Sequence, residues 1–394
     1  MKDRLHELII SVTSRCNLRC LMCGIPDGNA HDALSTAALK GLISDAVKLN
    51  PASIVFSGGE PLLREDIFEL ISFVNERKVN TCLTSNGSLI NEDRAKLLAA
   101  SGVGVVNISI EGPEEAHDLL RGRGNFEKAV TALENLKKHK IETTIATVVC
   151  RHNYKSLAYV LGLARRYGVT TVKFQPFSGI FLKDEGTSRD FFAQEKDLKE
   201  LDRAIEEVIK LSREYNISTN PESYLRKIPL YLCGLSGSNG KHGCSALWSS
   251  CPISADGEVY PCWVLSAKPI GNITGKKISE IWNSKEHNRI RDLIAQDGCG
   301  GCLMSCYDYN FGYHNLVRMF SLKAHKLSRP KLYKRLYYRL YQQIRYLSGK
   351  LTKLLFNKRR RRAGERQEAI AEKLKEIRIA KEMLRKSAES FKNE

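Results

Sequence analysis

Cys16, Cys20 and Cys23 sit in the run Cys16-Asn-Leu-Arg-Cys20-Leu-Met-Cys23, and they are the residues best spaced for unusual chemistry. Three thiolates at three-residue and two-residue gaps make one compact loop. They suit three irons of a 4Fe-4S cluster and leave the fourth iron open to a non-protein ligand. The competing assignment is half of a four-cysteine zinc site, but zinc ligands usually recur as C-x2-C pairs and the next cysteine here is Cys82. A closed electron-transfer cluster would want a fourth cysteine close by.

A second set comprises Cys244, Cys251, Cys262, Cys299, Cys302 and Cys306, six cysteines within 63 residues. That density exceeds what core packing needs, and zinc is the rival to iron on ligand type alone. Twelve cysteines in 394 residues, grouped at short gaps, read as metal ligation and not as a disulfide framework. Cys82 and Cys150 fall in strand patterns and are expected to be small buried hydrophobes, with Cys233 structural or an extra ligand.

The elements that must position these groups alternate along residues 7 to 176. Strand patterns cover Glu7 to Thr13, Ser53 to Phe56, Thr81 to Thr84, Gly104 to Ile110, Thr143 to Val149 and Thr171 to Gln175. Helical patterns lie between them, at Leu34 to Leu49, Asp66 to Arg77, Asp93 to Ser101, Phe126 to His139 and Tyr154 to Tyr167. Six strand-helix units in series predict an α/β fold, a parallel sheet that right-handed crossovers curl toward a barrel, two units short of a closed eight-stranded one. Its active edge lies beyond the carboxyl ends of the strands, where the cysteine loop falls. After the second strand comes Ser57-Gly58-Gly59-Glu60-Pro61, glycines that let backbone approach a ligand. Ser85-Asn86-Gly87 follows the third strand, and Ser109 ends the fourth, with Glu111, His117 and Arg121 downstream.

These motifs together resemble the radical SAM superfamily, and the fold that resemblance implies is a partial (β/α)6 TIM barrel. The resemblance implies that Cys16, Cys20 and Cys23 hold a cluster whose open iron chelates S-adenosylmethionine, and that the cofactor is cleaved to a 5'-deoxyadenosyl radical. It implies cofactor contacts from Gly58, Gly59, Glu60 and Pro61 to the amino group, Ser85 and Asn86 nearby, Ser109 to the ribose and Arg121 to the carboxylate. The sixth strand should pass under the adenine. Glu111 and His117 are expected either as substrate-side groups or as exposed loop residues.

The second set resembles a SPASM or shorter twitch domain, with a β-hairpin around Asp256-Gly257 that presents Cys262 and a helix from Ile278 to Ile294. It has one cysteine fewer in its final run than a full SPASM domain, so one auxiliary 4Fe-4S cluster is expected, its four ligands unassigned. Sulfatase-maturing relatives carry an aspartate where this chain has Trp263, which argues against that activity. The resulting domain plan is residues 1–230 for the barrel, 231–320 for the auxiliary domain and 321–394 for a basic helical extension.

The net charge of +18 is concentrated at the end: residues 331–394 hold 20 Lys+Arg against 7 Asp+Glu. Leu332, Leu336, Leu340, Ile344, Leu347, Leu351 and Leu354 recur at helical spacing with basic residues beside them. Two expectations follow: a helix docked on the protein's own core, or attachment to an anionic membrane surface, ranked above nucleic acid for want of a base-reading module. Met1-Lys-Asp-Arg leads straight into the first strand, so a cytoplasmic protein is expected, peripheral at the inner membrane surface if the tail binds lipid. No leader-peptide-binding domain is expected before that strand. The implied partners are a flavodoxin or ferredoxin reductant and a substrate that is a peptide or a sugar, alcohol or lipid-linked small molecule. The alternative from another class is a non-catalytic iron-sulfur or zinc protein with a membrane-recruiting tail.

Overall fold

Six parallel strands, each followed by helix, build the first half of the protein as its hydrophobic alternation predicts. The computed structural model describes residues 5–25, 34–182, 188–235, 246–265, 269–297 and 302–304. The strands are β1 (Glu7–Thr13), β2 (Ser53–Gly58), β3 (Asn80–Ser85), β4 (Val105–Ser109), β5 (Thr143–Val149) and β6 (Thr171–Pro176). Each pairs in parallel with the next. The intervening helices are α1 (Thr36–Ala46), α2 (Ile67–Glu76), α3 (Glu92–Ala100), α4 (Glu114–Arg121), α5 (Asn125–Lys138) and α6 (Leu157–Tyr167).

Period-two alternation sorts the sheet into two faces. Leu8 and Ile10 of β1, Ile54 and Phe56 of β2, Leu83 of β3 and Val106 and Ile108 of β4 are fully buried, in one core with Ile67, Leu70, Ile71 and Val74 of α2. The intervening residues, among them Ile9, Ser11, Asn107 and Ser109, are only half buried and line the other face. Helix starts are specified locally: the Ser35 side chain accepts from the Ala38 N–H, and Asn91 accepts from the Arg94 N–H.

The sheet does not stop at β1. Strand β7 (Ser250–Ile253) pairs in parallel with β1, Leu8 opposite Cys251, and β8 (Glu258–Val259) and β9 (Gly271–Asn272) continue it antiparallel. The strand order is therefore β6-β5-β4-β3-β2-β1-β7-β8-β9. The expected hairpin is present, turning at Gly257 with φ +82°. The expected helix from Ile278 to Ile294 is two helices, Ile278–Ile281 and Lys285–Asp297, separated at Asn283, whose φ of +70° breaks the helical path. Helix α4 corresponds to none of the helical patterns of the sequence; it is eight residues long and buries only His117 and Leu120. The basic extension 321–394 lies outside the described residues. Among the described residues no helix is long and apolar enough to cross a membrane.

Candidate active site at the carboxyl edge of the sheet

The cysteine loop leaves β1 and is clamped at once by the glycines after β2. Gly59 N–H donates to the Thr13 carbonyl at 2.8 Å and Glu60 N–H to the Arg15 carbonyl at 2.8 Å. A Cβ on Gly58 would stand 2.2 Å from the Thr13 oxygen, and one on Gly59 would stand 2.1 Å from the Arg15 oxygen. The immediate reason for both glycines is thus close approach to the cysteine loop, and φ +128° at Gly58 reinforces the requirement there.

Glu60 is fully buried and accepts from the Leu62 N–H at 3.2 Å, the Ser85 hydroxyl at 2.9 Å and the Asn86 N–H at 2.8 Å. Burial pushes its carboxyl up and these donors oppose the shift. Its side chain therefore ties the end of β2 to the end of β3. Asn86 in turn donates to Asn17 Oδ1 at 3.0 Å, and Asn17 donates to the Ser88 hydroxyl at 2.8 Å, so the third strand end also holds the cysteine loop. Asn17 and Ser88 were missed by sequence reading, since nothing but position marks them.

On the other side the loop meets α4. Leu21 N–H donates to the Leu120 carbonyl at 2.9 Å, and Arg121 Nη1 lies 3.9 Å from Cys20 Sγ. Arg121 also grips Glu111, Nε at 2.7 Å and Nη2 at 2.6 Å from Oε1. Glu111 is completely buried, where burial pushes its carboxyl up and Arg121 pulls it back; its second oxygen accepts from the Val148 N–H at 2.7 Å. Glu111 is neither an exposed loop residue nor an open substrate group. His117, also buried, accepts from the Glu111 N–H through Nδ1 at 3.3 Å, and desolvation, then Arg121, lowers its pKa to about 3. Asn153 donates to the carbonyls of Glu111 and Val148, a bridge whose only sequence signal is an asparagine just past a buried strand. Ser109, half buried, faces the barrel interior beside Ala146.

Cys16, Cys20 and Cys23 are half buried and in no disulfide. Burial raises the Cys16 and Cys20 thiols, with Arg121 opposing at Cys20. Among the described residues no three His, Cys, Asp or Glu side chains are grouped to hold a single metal ion.

In the second set, Cys244, Cys299 and Cys306 lie outside the described residues. Cys262 and Cys302 share a small apolar cluster with Leu247 and Met304, flanked by Trp248 and Trp263. Cys251 is apart from them: fully buried on β7, it belongs to the main barrel core, where burial pushes its thiol up. Cys302 is carried to the barrel by its neighbours, Leu303 accepting from Tyr224 Oη at 2.6 Å and Met304 Sδ from Gln175 Nε2 at 3.3 Å. Gln175 stands near the carboxyl end of β6, so the segment that carries Cys302 is held to the edge of the sheet where the first cysteine loop lies. Cys150 is the expected buried thiol, pushed up to about 12 by burial, and Cys233 donates to the Gln194 carbonyl. Cys82 is instead half buried, accepting from Asn107 Nδ2 at 3.1 Å.

Comparison with known proteins agrees with this geometry. The radical SAM superfamily model matches residues 10–164, and that of the SPASM iron-sulfur cluster-binding domain matches residues 244–307. The chain is 29% identical over 331 residues to an AdoMet-dependent heme synthase of Nitratidesulfovibrio vulgaris, covering 75% of this chain and 87% of that one. It is 29% identical over 299 residues to a mycofactocin maturase of Mycobacterium ulcerans, covering 74% and 78%. Among solved structures, Streptococcus suis SuiB bound to S-adenosylmethionine superposes with a TM-score of 0.61 at 19% identity, covering 74% of this chain and 68% of that one. The anSMEcpe structure with AdoMet and the Cp18Cys peptide gives 0.60 at 22% identity, covering 80% and 96%. A cysteine loop clamped at the carboxyl edge of a six-stranded partial barrel, with a second cysteine region joined to the same sheet, places this chain in the radical SAM superfamily, as an enzyme that uses a 4Fe-4S cluster and S-adenosylmethionine and carries a C-terminal SPASM domain.

Proposed function

We propose that Cys16, Cys20 and Cys23 hold the catalytic cluster, and that the protein removes a hydrogen atom from a peptide or protein substrate. When bound, the cluster and S-adenosylmethionine supply a 5'-deoxyadenosyl radical, and the chain's own residues position and shield it. Backbone of Gly58, Gly59, Glu60 and Pro61 fixes the loop and offers polar groups at its rim. Ser85 and Asn86 brace it from β3, and Ser109 lines the interior two strands away. Arg121 neutralises charge beside Cys20 while its fork is occupied by Glu111, so its proposed contact with the cofactor's carboxylate uses Nη1. Cys262 and Cys302, with Cys244, Cys299 and Cys306 as further candidates, hold one auxiliary 4Fe-4S cluster, and Cys251 is assigned to the barrel core. The barrel of residues 1–230 and the auxiliary domain of 231–320 then share one sheet.

The observation that carries this reading is the double clamp on the cysteine loop, glycines on one side and Arg121 on the other. Likeness to the mycofactocin maturase, and to fold neighbours seen with peptides, supports a peptide substrate. A small-molecule substrate is the second reading, favoured by 29% identity to the heme synthase and by 25% identity to an Fe-coproporphyrin III synthase of Methanosarcina barkeri. The reductant is a flavodoxin or ferredoxin, and the basic extension attaches to anionic membrane. Anaerobically reconstituted protein should release 5'-deoxyadenosine from S-adenosylmethionine under dithionite; a filled first cluster with no such product removes the proposal. Co-sedimentation with anionic liposomes that persists without residues 330–394 removes the membrane part.

A further inference from the structure

Arg291, on the helix Lys285–Asp297, is a charged side chain in the interior of the second cysteine region, only 3% exposed. Its Nε–H donates to the Leu247 carbonyl at 2.8 Å, and Nη1 donates to Oδ1 of Asn283 and, at 2.9 Å, to Oδ1 of Asn288. The Trp282 ring covers the guanidinium, its centroid 4.9 Å from Cζ. Leu247 links this cation to the cysteines: its side chain is buried with Cys262 and Cys302, and Ile290, beside Arg291 on the helix, packs against the same apolar group. The charge acts on its neighbours. Desolvation, then Arg291, lowers the His287 pKa to about 3, and burial raises the Cys251 thiol while Arg291 opposes the rise. Of the nearest acids on the same helix, Glu286 is paired with exposed Arg289 and Asp292 is exposed. Holding a cation out of water is costly unless negative charge lies close by, and an iron-sulfur cluster ligated by thiolates supplies such charge.

We propose that Arg291 sets the reduction potential of the auxiliary cluster at Cys262 and Cys302, its buried charge favouring the reduced form. Each electron added to that cluster deepens its negative charge, so a cation fixed nearby in a dry site raises the potential. The hydrogen bonds to Leu247, Asn283 and Asn288 hold the guanidinium in place for this. The assignment rests on the proposed auxiliary cluster at those cysteines.

The test is an anaerobic redox titration of the full-length, cluster-loaded protein followed by electron paramagnetic resonance, with the first site recognised by its response to S-adenosylmethionine. Arg291→Gln should shift the auxiliary equilibrium toward the oxidised form by about tenfold, which is about 59 mV for one electron, while Arg291→Lys keeps the charge and should stay near the wild type. Asn288→Asp leaves Arg291 in place and sets a carboxylate against its Nη1 from an exposed position. It should shift the equilibrium the same way by a smaller factor, and it keeps the test readable if Arg291→Gln does not fold. The first site should hold its potential in every variant. Equal shifts in Arg291→Gln and Arg291→Lys, an unmoved potential in Asn288→Asp, or an equal shift at the first site would overturn the role of Arg291. Iron at the first site alone in the wild type would overturn the auxiliary cluster and this role with it, and iron content separates that result from the others.

Discussion

The two cysteine regions are held by different means. The first loop is fixed by backbone: the ends of β1 and β2 bond to each other through Gly59 and Glu60, and side chains from the end of β3 close the frame. The second is tied on by long-range contacts: Ser279 donates to Asp45 of α1 through its N–H at 2.9 Å and its hydroxyl at 3.0 Å, Tyr224 reaches Leu303, and β7 docks on β1. Placement of the first follows from strand order. Placement of the second depends on contacts between residues far apart in the chain.

The largest expected effect probes the rigid side. Arg121→Met leaves Glu111 buried without its ion pair and should cost about 3–5 kcal/mol in denaturant unfolding. A Glu111→Gln/Arg121→Met double variant should recover much of that loss; a strictly additive loss would mean that the pair is not coupled. Next, Gly59→Ala forces a Cβ against the Arg15 carbonyl and should cost about 2–3 kcal/mol, with iron lost from the first site before the second. A variant that keeps its full iron content would show that the clamp is dispensable.

The comparison is sharpened at Cys251. Cys251→Ala should lower stability by about 1–2 kcal/mol and leave iron content at the wild-type level, because it removes a core thiol. Cys262→Ala or Cys302→Ala should release the auxiliary iron. If all three lose iron alike, Cys251 is a ligand and the division between core and cluster fails.

The smallest effect involves one buried histidine in each region. Desolvation, then Arg121, lowers the His117 pKa to about 3, and desolvation, then Arg291, lowers that of His287 to about 3. In the unfolded chain both titrate near 6.5. Below that pH the unfolded chain binds protons that the folded chain does not, so each histidine withdraws stability as pH falls, about 1 kcal/mol by pH 6. His287→Gln should flatten the profile between pH 7 and 5; an unchanged slope would contradict its burial as a neutral ring.

The regular half of the fold was legible because its signals are local. Alternation in Glu7–Thr13 and Thr143–Val149 gave both strands at their observed limits. The pairing of β1 with β7 was not, since Leu8 and Cys251 carry no mutual mark in sequence. Spacing was enough to find Cys16, Cys20 and Cys23 as a group, but it did not separate Cys251 from its neighbours, a matter of which face of a strand meets the core. Glu111 was misread because an acidic residue after a strand usually meets water, and only α4, too short and polar to stand out, brings Arg121 back to bury it.

Iron and sulfide content with electron paramagnetic resonance is the most direct test, comparing wild type with a Cys16→Ala/Cys20→Ala/Cys23→Ala variant, both anaerobic. About eight irons in the wild type should fall to about four, with loss of the signal that responds to S-adenosylmethionine and of 5'-deoxyadenosine formation. Unchanged iron, or an S-adenosylmethionine-responsive signal that survives the triple substitution, would contradict the assignment of the first cysteine loop as the catalytic centre.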